Sequence, residues 1–372
     1  VTDRPILLHL LFGAEVGGCE TSALAMIKYL PSMQHRVIVF GNDGPMAAVW
    51  RAAGASVEFS PRQSRLGYRQ LMEATRRAAE GAAAAMLWHG LVHLPPMIRT
   101  LNKMGIPTGV YGGNPAYSMP WRADWKFVVL GKIYPPSGPL PIYICCSQYV
   151  ANSFKSSRYL RRFPRAVVPN GVEMPPVSRH SAKPYSPDRP FVMGMVARLN
   201  SIKDHATLIR AFAFVRQRFP NVELELAGDG ELLEELTQLA KDLDVAAFVR
   251  FLGNVADVYG RIANWDLFTF ATTEQEGMGS AIAEAMMLGL PCVVTEIGPT
   301  RDFAGDGPQP AVKLVPPRDP VTMAKAITAL IPDISARSTL SIAGYEYAMT
   351  RFHPQAFARA YARHLGLPEP RS

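Results

Sequence analysis

The sequence predicts two doubly wound α/β domains, and three observations carry that prediction. Apolar β-like runs alternate with longer helical periodicity along the chain, which implies parallel sheets covered on both faces. The alternation occurs twice, in two series of about five strands each. Between the series lies Glu173–Pro190, rich in proline and serine and almost without apolar periodicity, which is linker composition. A length of 372 residues, at roughly 150 per domain, fits the same division.

In chain order, the first series predicts strands at Ile6–Leu11, Val37–Phe40, Ser56–Phe59, Ala84–Trp88 and Thr108–Tyr111, with a helix at Cys19–Leu30. The second predicts strands at Phe191–Val196, Glu223–Ala227, Val249–Leu252, Asp266–Ala271 and Cys292–Thr295. Its helices Thr207–Phe219 and Ser280–Leu288 place apolar residues at i, i+3 and i+4. Helical periodicity resumes after Pro332 and ends with Ala356–Leu365. The expected domains are therefore 1–172 and 191–345, joined by the linker 173–190. A C-terminal helix, about 346–372, is expected to pack back on the first domain.

Composition narrows the function classes. A chain that is 48% hydrophobic and 19% charged is an ordinary globular protein, neither disordered nor disulfide-stapled. A formal charge of +8 favours anionic partners such as phosphates or acidic lipid. Nucleic acid is a poor fit, because no helix-turn-helix, RRM or KH pattern is present. Cys19 and Cys292 stand alone and Cys145 and Cys146 are adjacent, so none has metal-ligand spacing. They read as reduced core residues of a cytoplasmic protein. No apolar run reaches the roughly 18–20 residues that span a bilayer, and Pro5–Phe12 reads as a buried strand, not a signal peptide. Any membrane contact is expected to be peripheral, on the inner face. Two basic–aromatic stretches bear on it: Lys155, Arg158, Arg161, Arg162 and Arg165 among Phe154, Tyr159 and Phe163, and Trp121, Arg122, Trp125 and Lys126. An anionic surface or acceptor and plain solvated helix faces both account for them.

Ligands of open α/β sheets bind beyond the carboxyl ends of the strands. The loop after Asp266–Ala271 is the most informative, running from Thr273 through Glu276, Gly277, Met278, Gly279 and Ser280 to Glu284. Its glycines allow close backbone approach, Ser280 is the expected N-cap, and the helix N-terminus is an anion site. Glu284, about one turn inside, offers two acceptor oxygens to a ribose diol. After Phe191–Val196, Arg198 and Lys203 are suited to grip a diphosphate; read alone, they are equally a solvated pair. Gly17 and Gly18 follow the first strand without forming the G-x-G-x-x-G dinucleotide fingerprint.

Together these loops resemble the retaining glycosyltransferases of the GT-B fold in glycosyltransferase family 4 (glycosyl transferases group 1). The matching pieces are Gly17-Gly18-Cys19-Glu20, Asn170-Gly171-Val172, Val196-Ala197-Arg198-Leu199 with Lys203, Leu226-Ala227-Gly228-Asp229-Gly230, Phe251-Leu252-Gly253-Asn254, and Glu276 through Glu284. The resemblance is dense from about 167 to 330 and sparse from 31 to 140.

The resemblance implies two Rossmann-like domains facing across a cleft, the first binding the acceptor and the second a nucleotide diphospho-sugar, expected to be UDP-linked. Glu284 would hold the ribose, and Glu276 the sugar hydroxyls. The backbone of Gly277, Met278, Gly279 and Ser280 would touch sugar and phosphate. Arg198 and Lys203 would neutralise the leaving diphosphate, Asn254 and Val255 would read the base, and Gly17 and Gly18 would lie beneath the diphosphate. With Arg198, Lys203 and Glu276 as the catalytic set, no metal or other cofactor is required. Many family members carry a His after the strand that here is Thr108–Tyr111. This chain has Asn114 in that loop, and His89 after the preceding strand is the substitute candidate on the acceptor side. The acceptor would be a hydroxyl of a glycolipid, polysaccharide or natural-product scaffold, and the class a hexosyltransferase. The alternatives are a sugar-nucleotide epimerase or hydrolase of the same fold, and a non-catalytic nucleotide-sugar binder.

Overall fold

The structure is a computed structural model that describes residues 4–61, 67–88, 94–116, 121–176, 181–186, 188–273, 276–305 and 307–369, with 121–124 as backbone alone. The chain forms two compact units: Val1–Gly171 with Pro354–Ser372, and Val172–His353.

Unit 1 holds a seven-stranded sheet built from β1 (Ile6–Leu11), β2 (Gln34–Phe40), β3 (Ser56–Ser60), β4 (Ala82–Leu87), β5 (Thr108–Gly112), β6 (Ile142–Cys145) and β7 (Arg165–Val167). The order is β3-β2-β1-β4-β5-β6-β7 and the pairings are parallel. Helices α1 (Gly18–Tyr29), α2 (Pro45–Ala52), α3 (Tyr68–Ala78), α4 (Leu94–Lys103), α5 (Trp121–Ile133) and α6 (Gln148–Ser153) alternate with the strands. β1 is a nearly continuous apolar run because a central parallel strand is buried on both faces.

The polar exception in β1 is His9, fully buried beside His35 of β2. A directed hydrogen-bond chain satisfies both rings. Trp88 Nε1–H donates to His9 Nδ1 at 3.0 Å, His9 Nε2–H to His35 Nδ1 at 2.9 Å, and His35 Nε2–H to the Leu30 carbonyl at 3.0 Å. The indole can only donate and the carbonyl only accept, which sets both tautomers and keeps both rings neutral. Burial pushes His35 down to about 4 and His9 well below the ordinary histidine value.

Unit 2 holds a six-stranded sheet of β8 (Phe191–Val196), β9 (Val222–Ala227), β10 (Val249–Gly253), β11 (Leu267–Phe270), β12 (Cys292–Thr295) and β13 (Lys313–Val315). Its order is β10-β9-β8-β11-β12-β13, again with parallel pairings. The helices are α7 (His205–Arg218), α8 (Leu233–Asp242), α9 (Val258–Ile262), α10 (Ser280–Met287), α11 (Pro320–Leu330) and α12 (Ile334–Arg351). Asp266, buried just before β11, accepts two hydrogen bonds from the Arg189 guanidinium, at 2.5 and 2.9 Å, and one from the Val192 N–H at 2.9 Å. That clamp joins the end of the linker to two neighbouring strands.

The chain returns to unit 1 with α13 (Pro354–His364). The crossing lies later than the expected 346, because α12 runs unbroken to Arg351 as part of unit 2. Tyr361 of α13 stacks on Trp88 with ring centroids 5.8 Å apart, and Phe357 packs against Tyr361 at 4.4 Å. Among the described residues no helix is long and apolar enough to cross a membrane.

Candidate active site

In unit 2 the strand order reverses between β8 and β11, and the loops after these two strands meet at that point. The backbone zips them together. Asp204 N–H donates to the Ala271 carbonyl at 3.0 Å, and Thr273 N–H to the Ile202 carbonyl at 2.9 Å. The Thr272 hydroxyl donates to the same Ile202 carbonyl at 3.0 Å. Asn200 shapes the first loop by accepting from the Ile202 and Lys203 N–H groups through Oδ1, at 3.2 and 3.3 Å. This local Asx turn is a side-chain substitute for a backbone turn.

The zipped loops bring Lys203 and Glu276 into an ion pair, Nζ to Oε2, with side chains only 17% and 12% exposed. The second carboxylate oxygen of Glu276 accepts the Gly277 N–H at 3.0 Å. Lys203 Nζ also lies 4.9 Å from the centroid of the Phe270 ring. Burial pushes the Lys203 ammonium down to about 8.

Beyond Glu276 the loop enters α10 through Gly279, not through the expected Ser280. Gly279 is the N-cap at φ 82°, ψ 60°, a left-handed conformation that glycine adopts without a Cβ penalty. Ser280 is the first helical residue, and no side chain caps the helix. The N–H groups of Gly279, Ser280 and Ala281 consequently have no partner among the described residues. Glu284 lies farther along α10, half-buried, its carboxylate without a hydrogen-bond or ion-pair partner among the described residues. Burial raises its pKa to about 7. Free donors and a free acceptor thus sit on one short helix.

The other predicted residues are placed less tightly. Arg198 is exposed and makes no ion pair among the described residues. Asn254 is exposed and Val255 half-buried, after Gly253, whose carbonyl accepts the Gly228 N–H at 2.8 Å. Gly277 and Met278 are buried. In unit 1, Gly17 is the N-cap of α1, and a Cβ there would lie 2.6 Å from a carboxylate oxygen of Glu20. A Cβ on Gly18 would meet open space, so nothing in unit 1 itself requires glycine at 18. Asn114 is exposed beyond β5, and His89 lies outside the described residues. Tyr111, on the strand where many family members place a following His, is buried, and its hydroxyl donates to Asn170 Oδ1 at 3.0 Å.

Sequence reasoning did not single out His205. Fully buried at the start of α7, it donates through Nδ1 to the Lys203 carbonyl at 3.2 Å, leaving Nε2 without a partner among the described residues. The Lys-Asp-His run was the available signal. His205 braces the backbone that carries Lys203, while Asp204 caps α7 by accepting from the Thr207 N–H at 3.1 Å.

Residues 190–333 match the family model described as Glycosyl transferases group 1. That span contains Arg198, Lys203, Asn254, Val255, Glu276 and Glu284, and it excludes the candidates of unit 1. The lipopolysaccharide core biosynthesis glycosyltransferase LpsE of Rhizobium meliloti is 35% identical over 178 residues, covering 48% of this chain and 50% of that protein. The putative glycosyltransferase EpsF of Bacillus subtilis is 28% identical over 191 residues, covering 48% and 49%. The chain spans about half the length of the curated relatives it matches. Over its whole length it is similar to the crystal structure of Anabaena Alr3699/HepE in complex with UDP and glucose, with TM-score 0.81, 22% identity, and coverage of 97% and 99%. The two parallel-sheet units are those of the GT-B architecture.

Proposed function

We propose that this protein is a retaining glycosyltransferase that moves a sugar from a UDP-sugar to a hydroxyl acceptor on a glycolipid or polysaccharide. One observation carries the reading: the Lys203–Glu276 pair stands in the same loop system as the uncapped N-terminus of α10 and the unpartnered Glu284. Support for the activity comes from the family match and from the glycosyltransferase names of LpsE and EpsF. The HepE complexes with UDP and UDP-glucose favour uridine as the base.

On this reading the ribose diol donates to both oxygens of Glu284, and the free N–H groups of Gly279 to Ala281 donate to phosphate oxygens. Without donor, Glu276 neutralises Lys203. An arriving diphosphate competes for the ammonium and releases Glu276 to the sugar hydroxyls. When the anomeric C–O bond breaks, negative charge gathers on the departing diphosphate. Arg198, Lys203 and the helix N–H groups stabilise it as preorganised donors. The acceptor hydroxyl then enters on the face the nucleotide leaves and passes its proton to the departing diphosphate oxygen, so the anomeric configuration is kept. Arg198 and Lys203 take the charge-neutralising role, and the reaction is proposed to need no divalent metal.

The test is transfer from a panel of nucleotide sugars, with the product's anomeric configuration read by proton NMR. An α-linked donor should give an α-linked product, in excess chelator as well as without it. An inverted product, or activity that chelation abolishes and Mg²⁺ restores, overturns the corresponding part of the reading.

A further inference from the structure

The two basic–aromatic stretches of unit 1 resolve differently in three dimensions. Phe154, Tyr159 and Phe163 point inward and are core residues, while Lys155, Arg158, Arg161 and Arg162 remain exposed. The apolar surface comes from α5. Its inner face is Phe127, Leu130 and Gly131, the last fitting against Tyr159 and Arg162. Its outer face exposes Trp125 by 50%, Val129 by 48% and Ile133 by 57%. Spacing of i, i+4 and i+8 lines these three side chains along one stripe of the helix.

Among the described side chains, the rim of that stripe carries one sign of charge. Lys126 and Lys132 border it on α5 itself, and the Arg158 guanidinium lies 5.4 Å from the Trp125 ring centroid. From Trp125 to Val172 the sequence holds seven Lys+Arg and no Asp or Glu, the flanking acids being Asp124 and Glu173. The bias extends to the whole unit. Unit 1 carries 22 Lys+Arg against 9 Asp+Glu, a formal +13, whereas unit 2 carries 17 against 22, a formal −5. The basic character of the chain therefore does not belong to the unit with the candidate anion site, and it needs another reason.

We infer that the outer face of α5, rimmed by Lys126, Lys132 and Arg158, rests on an anionic lipid bilayer. An exposed tryptophan, two aliphatic side chains and a border of long cationic stems match what settles at the headgroup boundary of a membrane. The +13 of unit 1 supplies long-range attraction to a negatively charged leaflet. A protein partner fits less well: stable protein interfaces bury about 800 Å² per side and are depleted of lysine at their centres. Here Lys126 and Lys132 flank Val129 directly. This surface belongs to unit 1 and the proposed donor chemistry to unit 2, so the two can fail separately.

The test is flotation of the full chain with vesicles of phosphatidylcholine, with and without phosphatidylglycerol, at low and high salt. The chain should float with the anionic vesicles, weakly or not at all with neutral ones, and less as salt rises. Trp125 emission should shift to the blue on binding, and Trp125→Phe should remove that change. Arg158→Ala and Lys132→Ala should each weaken partitioning roughly fivefold. Val129→Ser with Ile133→Ser should weaken it at least tenfold. Unchanged thermal melting of these variants shows that their fold is intact. Equal binding to neutral vesicles, no binding to either, or wild-type partitioning by the variants overturns the inference. Concentration-dependent dimers that Ile133→Ser abolishes, without vesicle binding, would also overturn it and assign the face to a second copy of the chain.

Discussion

Lys203 and Glu276 are ion-paired although 73 residues separate them in sequence. Neither sits in a strand or helix. Each is delivered by a loop that follows one of two adjacent strands, β8 and β11, and the loops are stitched together by their own backbone groups. The pair is a placeholder in the proposed cycle: each member satisfies the other until a ligand that pairs better with both arrives.

The proposed donor site gives the two glutamates separate roles. Glu284→Ala should weaken UDP and UDP-sugar alike, about 10- to 150-fold, as expected when a charge-assisted hydrogen bond of about 1.5–3 kcal/mol is lost. Glu276→Ala removes the competitor for Lys203, so UDP affinity should stay within a few-fold of wild type or tighten, while transfer collapses. Calorimetry with UDP beside initial rates decides it. Equal loss of UDP affinity in both variants would mean that the segment acts as one unit.

Glu284 also predicts a pH dependence. Its pKa is raised to about 7, so the carboxyl group is largely protonated at pH 6 and can accept only one of the two ribose donors well. UDP-sugar affinity should fall about 10-fold from pH 8 to pH 6, one unit below that pKa, because only the carboxylate accepts from both hydroxyls. A UDP-sugar is the right probe, since its diphosphate diester does not titrate in this range. Glu284→Gln should give a flat profile; a slope that survives in that variant would assign the titration elsewhere.

Arg198 is exposed and unpaired among the described residues, so its removal should cost rate and not stability. Arg198→Ala should lower kcat by about 100-fold or more, the scale of losing one preorganised donor, with an unchanged melting temperature. Wild-type turnover in the folded variant would take Arg198 out of the leaving-group site.

The buried His9–His35 chain makes unit 1 acid-sensitive. The folded-state pKa of His35, about 4, lies below its ordinary value of 6.5, so the unfolded chain takes up the proton first as pH falls. Stability is fully present above about 6.5 and should drop by on the order of 2–3 kcal/mol as pH falls toward 4. Glu284 contributes the opposite sign in unit 2, because its folded pKa is raised. The check is therefore differential: urea midpoints from pH 7 to 4.5 should fall less steeply in His35→Gln than in wild type. Parallel profiles would leave the histidine pair without an energetic role in acid unfolding.

Much of the fold was readable from local pattern. Ile6–Leu11, Phe191–Val196 and Cys292–Thr295 are strands to the residue, because a parallel strand buried on both faces reads as a nearly continuous apolar run. The strands that escaped notice are β6, β7 and β13, of four, three and three residues. Segments that short carry too little periodicity to register, and their pairing with a formed neighbour is what makes them strands. At α10, side-chain preference favoured Ser280 as the cap. The left-handed turn the loop must make gave that position to Gly279.

The sequence by itself determined the division into two α/β units and the class of their longer elements, since these follow from the period of burial. Only the tertiary structure decided which side chains meet. It paired Lys203 with Glu276, joined His9 to His35 and Trp88, and turned Phe154, Tyr159 and Phe163 inward while leaving Trp125, Val129 and Ile133 in solvent. The reason is physical: a side chain's neighbours depend on strand order, register and the rotation of its helix. Those are settled by packing among segments far apart in the chain, whose periodicities each fit more than one arrangement.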